Sequence, residues 1–96
     1  MMDDRILQGI AAGHPLQSLT EEERQAAMPV TRDPEPKRCR AWVRFGPNAV
    51  QVDGVVVVWN DVACGVQFRV GPTEYRCWVW AHAVTAAPPG PPGSGP

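Results

Sequence analysis

Ala49-Val50-Gln51-Val52-Asp53-Gly54-Val55-Val56-Val57-Val58 is the stretch on which the reading of this chain turns. Two β-branched runs flank an Asp-Gly dipeptide, a favoured two-residue hairpin turn because both of its positions accept positive φ. A turn there predicts Val52 opposite Val55, Gln51 opposite Val56 and Val50 opposite Val57. In that register Val50, Val52, Val55, Val57 and Trp59 share one apolar face, which is assigned to the core with Trp59 inside. Val56 and Val58 fall on the outer side.

Working outward, alternation predicts short strands at about 39–45, 49–52, 55–60, 63–70 and 75–81. The last hairpin is expected to turn through Gly71-Pro72-Thr73-Glu74, with Val70 opposite Tyr75, Phe68 opposite Cys77 and Val66 opposite Val79 on the inner side. The outer pairs are then Arg69 with Arg76, Gln67 with Trp78, and Gly65 with Trp80. A slip of one residue would bury Arg69 and Gln67, so the faces are well constrained.

The outer face carries the functional signal. Arg40, Trp42 and Arg44 share one side of their strand, and Arg76, Trp78 and Trp80 share one side of theirs, with Arg69 beside them. Three large rings among guanidinium groups form a binding surface that the core does not need. Trp80 opposite Gly65 also has the structural use of covering a bare glycine. Paired Arg69 and Arg76 would repel across a ladder, which either makes them an anion receptor or requires Glu74 or the acidic N-terminal segment to neutralise them.

The flanking segments read differently. Residues 3–12 predict a short helix, with Asp3 and Asp4 at its positive end, an Ile6/Leu7/Ile10/Ala11 stripe and Gly13 as its stop. A second helix is expected from Thr20, where Thr20-Glu21-Glu22-Glu23 fits a capping box. The domain reading is therefore an acidic helical extension (1–28), a proline-rich linker (29–37), a β-barrel (38–85) and a disordered Pro/Gly tail (86–96). The outer sheet face is too apolar to face solvent bare, so either the N-terminal helices cover it through Ile6, Leu7 and Ile10 or another protein does.

Five hairpin-linked strands ending in Trp80-Ala-His-Ala-Val84 resemble an SH3-like small barrel, in which a one-turn 3₁₀ segment precedes a short last strand. The resemblance covers residues 38–85 and implies binding without choosing a ligand. The stretch from Gly65-Val-Gln-Phe-Arg-Val to Tyr75-Arg-Cys-Trp-Val-Trp-Ala-His-Ala-Val84 also resembles small proteins of high-GC actinobacteria and their phages. Eukaryotic SH3 domains pair an aromatic groove with an acidic loop, and this barrel has no clear acidic run.

Composition bounds the rest. The chain has 96 residues with a formal net charge of −1, which splits into −4 over residues 1–36 and +3 over 37–84. Three cysteines without paired spacing, no signal-peptide start and no apolar run long enough to span a bilayer predict a cytoplasmic protein, in the host cytoplasm if phage-encoded. Cys39, Cys64, Cys77 and His82 lack a Cys-x-x-Cys knuckle, so no metal is expected, and buried free thiols are. His14 and His82 have no serine or acid at triad spacing, and no glycine-rich phosphate loop occurs, so neither a catalytic residue nor a cofactor is assigned. Glu21-Glu22-Glu23 would repel phosphate in a helix-turn-helix reader.

The expectation is a non-enzymatic interaction module that binds through Arg40, Trp42, Arg44, Arg69, Arg76, Trp78 and Trp80. Its occupant is another protein or the chain's own N-terminal helices. Single-stranded nucleic acid and homo-oligomerisation are the alternatives, and no membrane is involved.

Overall fold

A computed structural model of the chain describes residues 4–87. It is mainly β: helix α1 (Asp4–Gly13) is followed by β1 (Thr31–Phe45), β2 (Asn48–Trp59), β3 (Ala63–Val70) and β4 (Thr73–Trp80), then a 3₁₀ turn (Ala81–Ala83) and β5 (Val84–Ala86). The five strands form one antiparallel sheet in the order β4-β3-β2-β1-β5, open between its two edge strands.

The Asp53-Gly54 hairpin of the sequence reading does not form. β2 runs straight through it, and Gly54 pairs with Cys39 on β1 and Phe68 on β3. Both residues are used for packing across the sheet. Asp53 accepts a hydrogen bond from Arg40 Nε at 3.1 Å, and a Cβ on Gly54 would collide with the Gln67 carbonyl. The chain instead reverses at two Gly-Pro dipeptides. Gly46-Pro47 joins Phe45 to Asn48, and Gly71-Pro72 joins Val70 to Thr73. Each glycine has positive φ (59° and 58°) in the first turn position, the II′ arrangement that suits a tight hairpin.

The shorter second turn moves the β3–β4 register by two residues. Phe68 pairs with Tyr75, Val66 with Cys77, Gln67 with Arg76 and Gly65 with Trp78. An even shift keeps every side chain on its expected face, so Val66, Phe68, Val70, Cys77 and Val79 are buried as expected. β2 is different. Its register with β3 shifts between Val56 and Val58, a bulge that reverses the alternation. Val56 packs on the core, Val58 is buried in the outer row with Gly65, and Val55, Val57 and Trp59 are only half-buried. Trp59 is therefore not a core residue.

Leu7, Cys39, Ala41, Val43, Phe45, Val50 and Val52 complete the core. At its centre the Phe45 ring meets Phe68 and Tyr75 edge-on, at 6.2 and 5.3 Å between centroids. Burial of Leu7 shows that α1 docks on the core and not over the outer sheet face. Ile10 and Ala11 join it, while Ile6 stays exposed. The helix and its following loop lie against both turns: a Cβ on Gly71 would sit 2.7 Å from the Gln8 side chain, and one on Gly46 would sit 2.9 Å from His14 Nδ1.

The second helix shrinks to turns. Its capping box forms in full, since Thr20 Oγ1 accepts from Glu23 N and Glu23 Oε1 accepts from Thr20 N, both at 3.0 Å. Gln25 then adopts φ 52°, and the helix stops. Part of the expected linker belongs to β1. Thr31 and Arg32 pair with Trp59 and Val58, and Pro34 and Pro36 fall where the ladder shifts before Lys37. The expected Pro/Gly tail lies outside the described residues from Pro88 onward. Ala86 is still in β5, and Ala87 N donates to Arg38 O. Among the described residues, no helix is long and apolar enough to cross a membrane.

Candidate functional site: a groove at the open seam of the sheet

Strands β1 and β4 approach each other where the sheet fails to close, and the segment after α1 bridges them. Gly46 N donates to Pro15 O, and Gln17 N donates to Arg44 O, both at 2.8 Å, so this segment pairs with the end of β1. Two residues later it reaches β4. Leu19 N donates to Trp78 O at 3.0 Å, and Trp78 N donates to Ser18 Oγ at 2.8 Å. Residues 15–19 thus act as a clasp across one end of the seam.

Beyond the clasp the seam is unfilled by the described residues. β5 pairs with β1 only from Cys39 to Ala41, and the clasp takes up pairing again at Arg44 and Phe45. Between them, among the described residues, Trp42 and Val43 have no strand beside them on that edge. A groove of about 440 Å³ opens there. Trp42, Val43 and Arg44 form one wall, Trp78, Val79 and Trp80 the other, with Gln17–Leu19 and Glu23 at one end and Ala83 also lining it. Trp42 is 52% exposed and Trp80 37%, so both rings present apolar surface to solvent. Arg44 Nη1 makes a long 3.4 Å hydrogen bond to Pro47 O, and Glu23 contributes the opposite charge.

Trp78 is held differently. The Arg24 guanidinium sits 4.7 Å above its ring centre, and the ring covers Gly65, whose added Cβ would lie 3.7 Å from it. Arg24 is fixed in turn by Asn60, a buried polar side chain that the sequence reading passed over. Asn60 Nδ2 donates to Arg24 O at 2.6 Å, while Asn60 Oδ1 accepts from Val62 N and Ala63 N at 2.9 Å each. The signal available in the sequence was Asn-Asp between two strands, which marks a turn anchored by its own side chain.

Of the residues expected at the site, Trp42, Arg44, Trp78 and Trp80 come together around the groove. The glycine cover falls to Trp78, since Trp80 pairs with Ala63. Arg40 is held by Asp53 and lies outside the groove. Arg69 pairs across the ladder with Glu74 and not with Arg76, so the expected pair of opposed arginines does not exist. Arg76 pairs with Gln67 and lines a second depression on the far side of Ser18. The residues missed were those of the clasp, whose sequence has no strand-like alternation.

The three cysteines are free thiols. Burial raises all three above their ordinary range, and for Cys77 to about 11; at Cys39 the neighbouring Cys64 and Asp53 add to the effect. They are protonated and unreactive at neutral pH, and they contribute to packing. Comparison with protein-family models, with curated proteins and with solved structures gives no match.

Proposed function

We propose that this chain is a small, non-enzymatic interaction module that takes an extended segment of another protein into the seam between β1 and β4. One observation carries the reading: the seam is half filled by the chain's own clasp, and the unfilled half is flanked by exposed Trp42 and Trp80. The clasp is an internal example of what the seam accepts. An incoming segment extends along the free Trp42–Val43 edge, where backbone hydrogen bonds supply affinity and the two rings supply specificity. The strand order and the 3₁₀ turn before β5 support an SH3-like reading of the curled sheet, in which the clasp stands in for the missing closure. Glu23 at the groove and the net charge of −1 favour a peptide over a polyanion.

Selection of a random peptide library on the full chain tests this. Enriched peptides should lose affinity by about 30-fold on Trp42→Ala or Trp80→Ala, the effect of deleting an aromatic anchor. Failure to enrich, or binding indifferent to both substitutions, overturns the proposal. So does tryptophan quenching by single-stranded oligonucleotides that vanishes steeply with salt, which would assign the face to nucleic acid.

A further inference from the structure

The second depression has a chemistry of its own. It encloses about 270 Å³, and Arg32, Arg76, Ser18 and Trp78 line it around Val58 and Gly65. Its geometry follows from one ladder row. Arg32 pairs with Val58, Val58 with Gly65, and Gly65 with Trp78, so Arg32 and Trp78 stand at opposite ends of a row in which the Val58 side chain and the Trp78 ring cover Gly65 and form the floor of the depression. Three strand spacings place those ends about 14 Å apart along the sheet. Arg76 stands beside Trp78 on the same strand and face. Two guanidinium groups therefore border one hollow from opposite sides.

Among the described residues, no carboxylate lines the depression. Of the acids on neighbouring elements, Glu74 stands opposite Arg69 in the ladder, Asp33 lies 3.9 Å from Lys37, Glu21 lies 3.8 Å from Arg24, and Glu23 caps Thr20 N at 3.0 Å. Ser18 Oγ accepts from Trp78 N, which leaves its own proton to donate. Two guanidinium groups bordering one depression, with a hydroxyl donor on its wall, match the donor set of an oxyanion receptor.

We infer that Arg32, Arg76 and Ser18 form an oxyanion-binding site for a phosphate or carboxylate group. The site does not depend on the reading of the groove, and either can fail without the other. Titration of the full chain with inorganic phosphate and, separately, with acetate, at constant ionic strength, tests it through the Arg Nε–H resonances and the Trp78 amide. Saturable shifts should concentrate on Arg32, Arg76, Ser18 and Trp78. Arg32→Gln and Arg76→Gln should each weaken binding about tenfold, whereas Arg69→Gln leaves it unchanged. Tighter binding of phosphate supports a phosphorylated ligand, and equal or tighter binding of acetate supports a carboxylate. Shifts spread evenly over Arg40, Arg44 and Arg69, or Arg32 and Arg76 variants that bind like the Arg69 variant, overturn the site.

Discussion

At the scale of single residues, burial of groups with polar or titratable chemistry sets the sharpest expectations. Burial holds the Cys77 thiol at about 11 against an ordinary value of 9.0. The unfolded chain therefore loses this proton first as pH rises, and stability falls between pH 9 and 11 after being fully present below pH 9. The loss amounts to roughly 2–3 kcal/mol. Cys77→Val removes it, so denaturant midpoints of the two proteins should differ by a constant below pH 9 and separate between pH 9 and 11, where only the wild type loses the Cys77 contribution. Identical slopes from pH 8 to 11 would show that Cys77 is not protected. Asn60 makes a different kind of contribution. Its side chain satisfies two backbone donors and one acceptor, and Ala63 N is buried. Asn60→Ala should cost about 2–3 kcal/mol, read from the urea midpoint, because a buried donor is left without a partner. It should also release Arg24 from Trp78, with a change in tryptophan emission.

At the scale of elements, the clasp and the two turns organise the site. Ser18 accepts the Trp78 amide proton at an exposed position, so Ser18→Ala should leave the core intact while loosening the clasp. Hydrogen exchange at the Trp78 amide is expected to speed about fivefold to tenfold, with a stability loss near 1 kcal/mol. Unchanged exchange there would mean that Ser18 does not hold the seam. Gly46→Ala should be far worse, since it meets both a positive φ and the His14 ring. The same elements explain what the sequence could and could not reveal. The inner faces of β3 and β4 were legible because a two-residue error in turn length preserves alternation. The course of β2 was not. Asp53-Gly54 carries a strong local turn signal, yet Asp53 serves Arg40 and Gly54 gives room to Gln67, and both are contacts with distant strands. Gly46-Pro47 and Gly71-Pro72 repeat one turn dipeptide, which was the better guide. With no turn at Asp53-Gly54, Val56 faces the core, and the bulge at Val57 returns Val58 to the outer row; nothing within a run of four valines marks such a shift. For the site, alternation brought Trp42, Arg44, Trp78 and Trp80 into view, but the clasp is held by backbone bonds that leave no pattern in the residues.

At the scale of the whole molecule, the N-terminal segment is part of the fold. Leu7, Ile10 and Leu16 pack on the same core as the strands, and residues 15–19 tie β1 to β4. Without them the sheet would present Phe45, Arg44 and Trp78 on two unpaired edges, the condition under which strands recruit other chains. Removal of residues 1–19 should therefore convert the protein into a self-associating one. Light scattering should give a monomer mass near 10.5 kDa for the full chain and at least twice the monomer mass for the truncated one. A synthetic peptide of residues 14–24 added in trans should restore the monomer by refilling the seam. A truncated chain that stays monomeric, with Trp78 emission unchanged, would show that β1 and β4 close without help. In that case the groove is a surface cleft and not a place made for an added segment. Rescue by the peptide carries the opposite meaning: a seam that accepts its own segment from solution has the geometry to accept a partner's, and Trp42 and Trp80 mark the half that the chain leaves open.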